Sequence, residues 1–333
     1  MVAASDEVEG LRSELEQLAE ERRWVEIKDR VEALDDTALM SDPKVAYLAA
    51  EGLLHLGRAE RALNLALAAE AEFRSRQDHL NLLPALNLAG AVQFELGDLA
   101  AAEERFSDLL ELARERGDDG MVGRATNNLG AIASLRGEHE RALSLFRLSI
   151  PAYQKVGFMA GLAQADHNLG IVHRDLGYWR EAERHFRSAQ RRARQLGDER
   201  LAAMGRVGLA EISQLRGDHV YAEVEARLAL EAYDEIGDEL GRADALKLLG
   251  SVARAAARPD DALASFDRAL KIARQQVNPL LEAEILEERG RLHRESGQTA
   301  LALADLQAAA GTYRRLGAVE RQAAVEEELE RIS

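Results

Sequence analysis

The stretch NNLGAIASLRGEHERAL, Asn127–Leu143, has a counterpart forty residues on in HNLGIVHRDLGYWREAE, His167–Glu183. In each, two apolar-periodic segments flank a short polar link that contains a glycine, Gly137 or Gly177. The same registers run through most of the chain. Gly57, Gly97, Gly137, Gly177, Gly217 and Gly297 form one series, interrupted at Ala257. Gly90, Gly130, Gly170, Gly250 and Gly290 form a second, with Ala210 in the gap, and Gly117, Gly157, Gly197, Gly237 and Gly317 a third, with Val277 in the gap. Alanines keep the beat from Ala62 through Ala142 to Ala302, and so do Phe106, Phe146, Phe186 and Phe266. Several registers held over seven copies mark a repeat array, whose core grows along one axis.

Each series has a physical task. Gly137 and its equivalents suit the left-handed turn that ends a helix. Gly130 and its equivalents lie inside a first helix, where glycine costs roughly 1 kcal/mol against alanine unless two helices cross closely there. Ala142 and its equivalents serve that approach from the second helix, and the phenylalanines fill the space beside it. Each unit is therefore predicted to be a helix, a tight turn and an antiparallel helix. One pair cannot bury its apolar face alone, so the pairs must stack. Units begin near 41, 81, 121, 161, 201, 241 and 281. Residues 1–40 read as a degenerate first pair, with Trp24 opening its second helix. Residues 41–317 hold the seven repeats, and 318–333 a polar capping helix. Asp42 and Asn278 are expected to cap helices that start at Pro43 and Pro279. Two irregularities stand out. The turn ARPDD, 257–261, is expected to differ from the others, and Pro151 to kink or end its helix.

These residues resemble the tetratricopeptide repeat family, with Gly130, Gly137, Ala142 and Phe146 at the family's small, turn, alanine and aromatic positions. Ser149 departs from the last family alanine, which Ala189, Ala229, Ala269 and Ala309 restore. The family's tryptophan and late proline are missing, and the unit is 40 residues rather than about 34. This longer variety is similar to the repeats of bacterial peptide or inducer sensors and of kinesin light chain. The resemblance implies an all-α fold, a right-handed superhelical solenoid of about eight antiparallel helix pairs with a concave groove.

Composition narrows the function. The chain has 333 residues, no cysteine and only 5% aromatics, so no disulfide framework or Cys-containing zinc site is expected. The start, MVAASDEVEGLRSELEQLAEE, lacks the basic and apolar regions of a signal peptide, and no run of about eighteen apolar residues occurs. A soluble cytoplasmic protein without a membrane role is the expectation. The net charge of −16 argues against generic binding to nucleic acid or anionic lipid. The charge is uneven: residues 1–40 carry −7 and 81–120 carry −6, but 121–160 carry +3 and 161–200 carry +2. There is no His-x-x-x-His or HExxH pair, no phosphate loop and no GxSxG elbow. No catalytic residue, metal or cofactor is expected, and enzymatic activity is not.

In the resembled family the second, fifth, sixth and ninth residues of first helices face the ligand. Here these include Asn87, then Arg124, Asn127 and Asn128, then Gln164, His167 and Asn168. An asparagine offers both donor and acceptor, so Asn128 and Asn168 could hold the main chain of an extended peptide, or instead join neighbouring helices. Arg174 and Arg254, with Arg294 in the same register and Lys247 nearby, could receive an acidic ligand, or pair with Asp175, Asp244 and Glu295. The family's clamp for C-terminal carboxylates is not reproduced in any three consecutive units. A second candidate is a basic stripe on one second helix, Arg180, Arg184, Arg187, Arg191 and Arg194, extended by Arg147 and Arg227 in adjacent units. It should be convex, and either dock an acidic partner or nucleic acid, or be solvated and paired with Glu183 and Glu223. The lack of interleaved aromatics counts against nucleic acid. His173, His293, His139 and His219 read as structural.

The sequence therefore predicts a scaffold that binds a peptide or protein segment in the concave groove. Two alternatives remain open. One is a ligand-sensing regulator acting through a partner, since no output domain fits before residue 41. The other is a self-associating structural protein.

Overall fold

The computed structural model describes residues 2–21 and 23–332, with side chains from Val8 onward. Eighteen helices, α1 to α18, account for nearly all of them. Three precede the regular array: α1 (Val2–Glu20), α2 (Trp24–Glu32) and the single turn α3 (Asp36–Leu39). Seven antiparallel pairs follow. They are α4 (Pro43–His55) with α5 (Ala59–Ser75), α6 (His79–Glu95) with α7 (Leu99–Arg116), and α8 (Asp119–Leu135) with α9 (His139–Lys155). Next come α10 (Met159–Asp175) with α11 (Trp179–Leu196), α12 (Glu199–Leu215) with α13 (His219–Ile236), and α14 (Glu239–Ala255) with α15 (Pro259–Gln275). The last pair is α16 (Pro279–Glu295) with α17 (Thr299–Leu316), and α18 (Val319–Glu330) closes the chain.

Starts and stops of the helices are written locally. Asp42 accepts from the N–H groups of Lys44 and Val45, at 2.8 and 3.0 Å, ahead of Pro43. Asn278 accepts from Leu281 at 2.9 Å ahead of Pro279. Asp98, Asp198, Asp218 and Asp238 each cap the helix that follows. Gly137 turns between helices at φ +82°, the conformation only glycine adopts without strain.

The turn at 257–261 follows the same path as the others, contrary to expectation. Ala257 takes φ +55°, and Gln77 (φ +56°) and Val277 (φ +51°) do likewise at the ends of their helices. Packing of the flanking helices dictates the turn, and the side chain accepts the strain. Pro151 does not end its helix either, because α9 runs on to Lys155. The missing N–H deprives only the Arg147 carbonyl, in the helix's last two turns.

The pairs are joined by one contact, repeated. A Cβ added to Gly90, Gly130, Gly170 or Gly250 would lie 2.6, 2.7, 2.6 or 2.5 Å from the ring of Phe106, Phe146, Phe186 or Phe266, sixteen residues on. Glycine is required because the ring of the second helix rests on the backbone of the first. Where the glycine is replaced by Ala50 or Ala210, the ring is replaced too, by Ala66 or Ala226, all four fully buried. The last pair uses a third solution, Gly290 against Leu306. Phe186 also meets the next pair, since a Cβ on Gly208 of α12 would lie 2.5 Å from its ring.

Contacts divide the chain into two compact units, 1–125 and 126–333. In the first, Leu15, Ile27, Val31 and Leu39 of the N-terminal helices are fully buried in the same cluster as Leu53, Leu65 and Leu86. Trp24 stacks on His55 at 4.2 Å between ring centres. In the second unit the chain returns on itself. Glu320 of α18 meets His139 of α9 at 3.0 Å, and Leu135 packs on the apolar cluster to which Val325 of α18 belongs.

Two stability results are expected. Gly170→Ala alone should cost about 2 kcal/mol by overpacking, and Phe186→Ala about 3 kcal/mol by leaving a cavity. The double variant, which copies the native Ala210–Ala226 solution, should lose at least ~1 kcal/mol less than the sum. Urea denaturation followed by circular dichroism reads this, and strict additivity would contradict it. Val277→Gly should stabilise the chain by about 1 kcal/mol by relieving a β-branched residue at positive φ; an unchanged urea midpoint would contradict that.

Candidate functional site

First helices present the sequence-predicted groove residues. In the second unit three of them meet. Gln164 Nε2 donates to Asn168 Oδ1 at 3.2 Å, and Asn168 Nδ2 donates to Asn127 Oδ1 at 3.1 Å. The amides form a ladder from α10 to α8. Each primary amide carries two N–H donors and an oxygen with two lone pairs, so the ladder leaves hydrogen-bonding capacity unused at Asn168 and Gln164. Asn128, beside Asn127, is half-buried. Asn87 and Arg124 belong to the first unit. There Arg124 acts electrostatically on Tyr47 and Glu51 of α4; burial pushes the Glu51 carboxyl up, against the pull of Lys44 and Arg124.

His167 is only 8% exposed, and its ring lies 5.4 Å from that of Phe186. Burial, aided by the Arg174 charge, pushes its pKa down to about 4. Its Nδ1 has no hydrogen-bond partner. The residue therefore serves the junction between α10 and α11 and has little surface to offer a ligand.

Arg174, Lys247 and Arg254 are already engaged. Arg174 pairs with Asp175 and with Glu211 of α12. Lys247 pairs with Asp244 at 2.8 Å and Glu284 of α16 at 2.6 Å. Arg254 pairs with Glu295 at 2.7 Å and Glu288 at 3.1 Å. The lattice continues into α18, where Arg321 pairs with Glu284 and Glu328 takes Arg291 and Arg294. These groups are taken out of water, and their neighbours decide the outcome. Glu211 is pushed up by burial, which Arg174 and Lys247 do not fully offset. Glu284 suffers the same burial, but Lys247 and Arg321 on either side hold it well below the usual carboxylate range.

The carboxylate partners Glu211, Glu284 and Glu288 and the cation Arg321 were not among the sequence candidates. A signal for them existed. Arg174–Glu211, Lys247–Glu284, Glu284–Arg321 and Arg291–Glu328 are all 37 residues apart, one repeat less three. That is the step between facing residues on successive first helices.

On the other helices, Arg147, Arg180, Arg184, Arg187, Arg191, Arg194 and Arg227 are all exposed. Arg187 pairs with Glu183 at 2.6 Å and Arg227 with Glu223 at 2.7 Å. Between α10 and α11, Asp166 accepts from Ser188 Oγ at 2.7 Å and Arg192 Nε at 3.1 Å, and faces His185 Nδ1 at 3.1 Å. Burial opposes the Asp166 charge, but the bonds from His185 and Ser188 outweigh it and hold the carboxyl low. The serine donates to the carboxylate rather than to the imidazole, so this is not the wiring of a nucleophile and its base. Among the described residues no group of three or more His, Asp or Glu side chains is placed to hold a metal ion, and no helix is long and apolar enough to cross a membrane.

Comparison with known proteins agrees with the stacked helix-pair fold. Tetratricopeptide repeat profiles match residues 82–155 and 167–199. No curated protein matches the chain. Among solved structures it is similar to a Rap protein complexed with competence and sporulation factor, at TM-score 0.63 and 16% identity over 98% of both chains. It is also similar to the Rap conjugation gene regulator of plasmid pLS20 in complex with the Phr* peptide. There the TM-score is 0.70 and the identity 14%, over 83% of this chain and 75% of that one. A third is the signal-transduction ATPase with a tetratricopeptide repeat sensor from Pyrococcus horikoshii, at TM-score 0.52 and 15% identity, over 79% of this chain and 42% of that one. The chain therefore has the stacked helix-pair fold of tetratricopeptide repeat proteins, Rap proteins and repeat sensors among them.

His167 generates a pH prediction. Its folded pKa lies below that of the unfolded chain, so its contribution is intact above pH ~6.5 and is lost as pH falls toward about 4. By pH 5 the loss should be on the order of 2 kcal/mol. Chemical denaturation at pH 7 and pH 5 should show a smaller drop for His167→Leu than for the native chain. An equal drop in both would contradict the assignment.

Proposed function

We propose that the protein is a cytoplasmic interaction scaffold that binds an extended peptide or protein segment along its first helices, by recognition rather than catalysis. The amide ladder Asn127–Asn168–Gln164 carries this reading. It sits where repeat proteins of this fold present ligand-facing residues, and it retains donors and acceptors of the kind a peptide main chain needs. Two of the Rap structures that share the fold were solved in complex, one with competence and sporulation factor and one with the Phr* peptide, and the second supports a peptide ligand here.

A second reading, a ligand-sensing regulator that works through a partner, draws on the ion-pair lattice. A charged ligand entering beside Arg174, Lys247 and Glu284 would have to exchange existing pairs, and that would loosen α18 from the turn at His139. Binding and a change of conformation would then be one event.

The test is recovery of partners from native lysate by the intact protein and by Asn127→Ala/Asn168→Ala, with circular dichroism showing both folded. The variant should bind the recovered partner at least ~10-fold more weakly, the loss of one or two main-chain hydrogen bonds. Equal affinity would overturn the role of the ladder.

A further inference from the structure

The first helices leave one part of the second unit unexplained. Along α11, Arg180, Arg184, Arg191 and Arg194 are exposed and have no carboxylate within ion-pair distance among the described residues. Only Arg187 of that stripe is held, by Glu183, which also takes Arg216 at 2.7 Å. One repeat further, α13 places Val220, Val224 and Leu228 where α11 places Arg180, Arg184 and Ser188. These three are exposed, Val220 at 78%, and they step by four along one face of the helix. A basic stripe and an aliphatic ridge thus share one register on successive second helices.

The start of α11 carries two aromatic side chains, one of which, Tyr178, also lies 6.1 Å from the His173 ring. Asp98 and Asp218 occupy the N-cap position of α7 and α13, and each accepts from a backbone N–H. In α11 that position is Tyr178, which makes no capping bond, as Arg58, Glu138, Arg258 and Gln298 make none at the starts of α5, α9, α15 and α17. A cap of that kind is worth about 1 kcal/mol. In its place Tyr178 and Trp179 stand exposed beside Arg180, around a shallow depression with Glu183 and Arg216 on its wall.

We propose that α11 and α13 form a docking surface for an acidic amphipathic helix of a partner protein. The apolar face of that helix lies on Val220, Val224 and Leu228, and its carboxylates meet the arginines of α11. Charge complementarity selects this occupant. In a chain of net charge −16, residues 161–200, which hold α11, carry a net +2, and the four free guanidiniums there are suited to bidentate carboxylate contacts, while α13, in a segment of net −6, contributes the aliphatic ridge. A nucleic acid would use the arginines and Trp179 but leave the aliphatic ridge in water. This surface is independent of the amide ladder.

The probe is a synthetic helix of about 18 residues, with leucines along one face and glutamates along its edge, titrated by fluorescence anisotropy. The native chain should bind it in a salt-sensitive manner. Arg184→Glu/Arg191→Glu should weaken binding at least ~30-fold and Val224→Asp at least ~10-fold. Tyr178→Asp introduces the cap that α7 and α13 have, so it should raise the melting temperature while weakening binding. That combination separates docking from folding. The proposal is overturned if the charge-reversed variant binds equally well, or if the same peptide with lysines for glutamates binds equally well. It is also overturned if an oligouridine binds this face more tightly than the peptide, or if light scattering shows a dimer that these variants dissociate.

Discussion

Spacing within each helix pair depends on what stands opposite one residue in the middle of its first helix. With glycine there, a phenylalanine ring of the second helix rests directly on the backbone, as in Gly170 with Phe186. With alanine there, the ring must go, and Ala210 faces Ala226 instead. Closely packed interiors permit few such solutions, because a single added methyl has nowhere to move. The ring of Phe186 also reaches Gly208 in the next pair and borders His167, so one side chain couples the packing of a pair to the stacking between pairs. The first helices α10 and α12 are both positioned by that ring.

Charge organises the same unit at a second level. Burying Arg174, Glu211, Lys247, Glu284 and Arg321 is unfavourable for each alone, and they are tolerated because opposite charges alternate across successive first helices. The alternation is incomplete at Glu211, whose carboxyl stays above its usual range, and is fullest at Glu284 between two cations. The pairing also means that the cations nearest the amide ladder are not waiting for a ligand.

Much of the fold is legible in the sequence because its determinants are local and repeated. Glycine registers, aspartate caps and apolar periodicity each act within one unit, and seven copies separate them from chance. The exceptions are places where packing overrides local preference. Ala257 and Val277 accept a left-handed turn, and Pro151 sits in a helix that continues past it. The site was less legible. Pairing of Arg174 with Asp175 and of Arg254 with Glu295 could be anticipated, but Glu211 and Glu288 come from the next helix, and only the 37-residue step announces them. His167 shares a groove register with Asn127, yet the adjacent Phe186 gives it an apolar environment that burial then enforces. The exposed Tyr178 and Trp179 directly precede the arginine stripe instead of lying between its members, so a search for interleaved aromatics passes them by.

Amide hydrogen exchange, resolved helix by helix in the native chain and in Phe186→Ala, tests the central claim most directly. If the ring links its own pair to the next, protection should fall together in α10, α11 and α12, whose residues surround it, and remain unchanged in α4 to α7. Loss confined to α11, or spread evenly over all helices, would contradict the account.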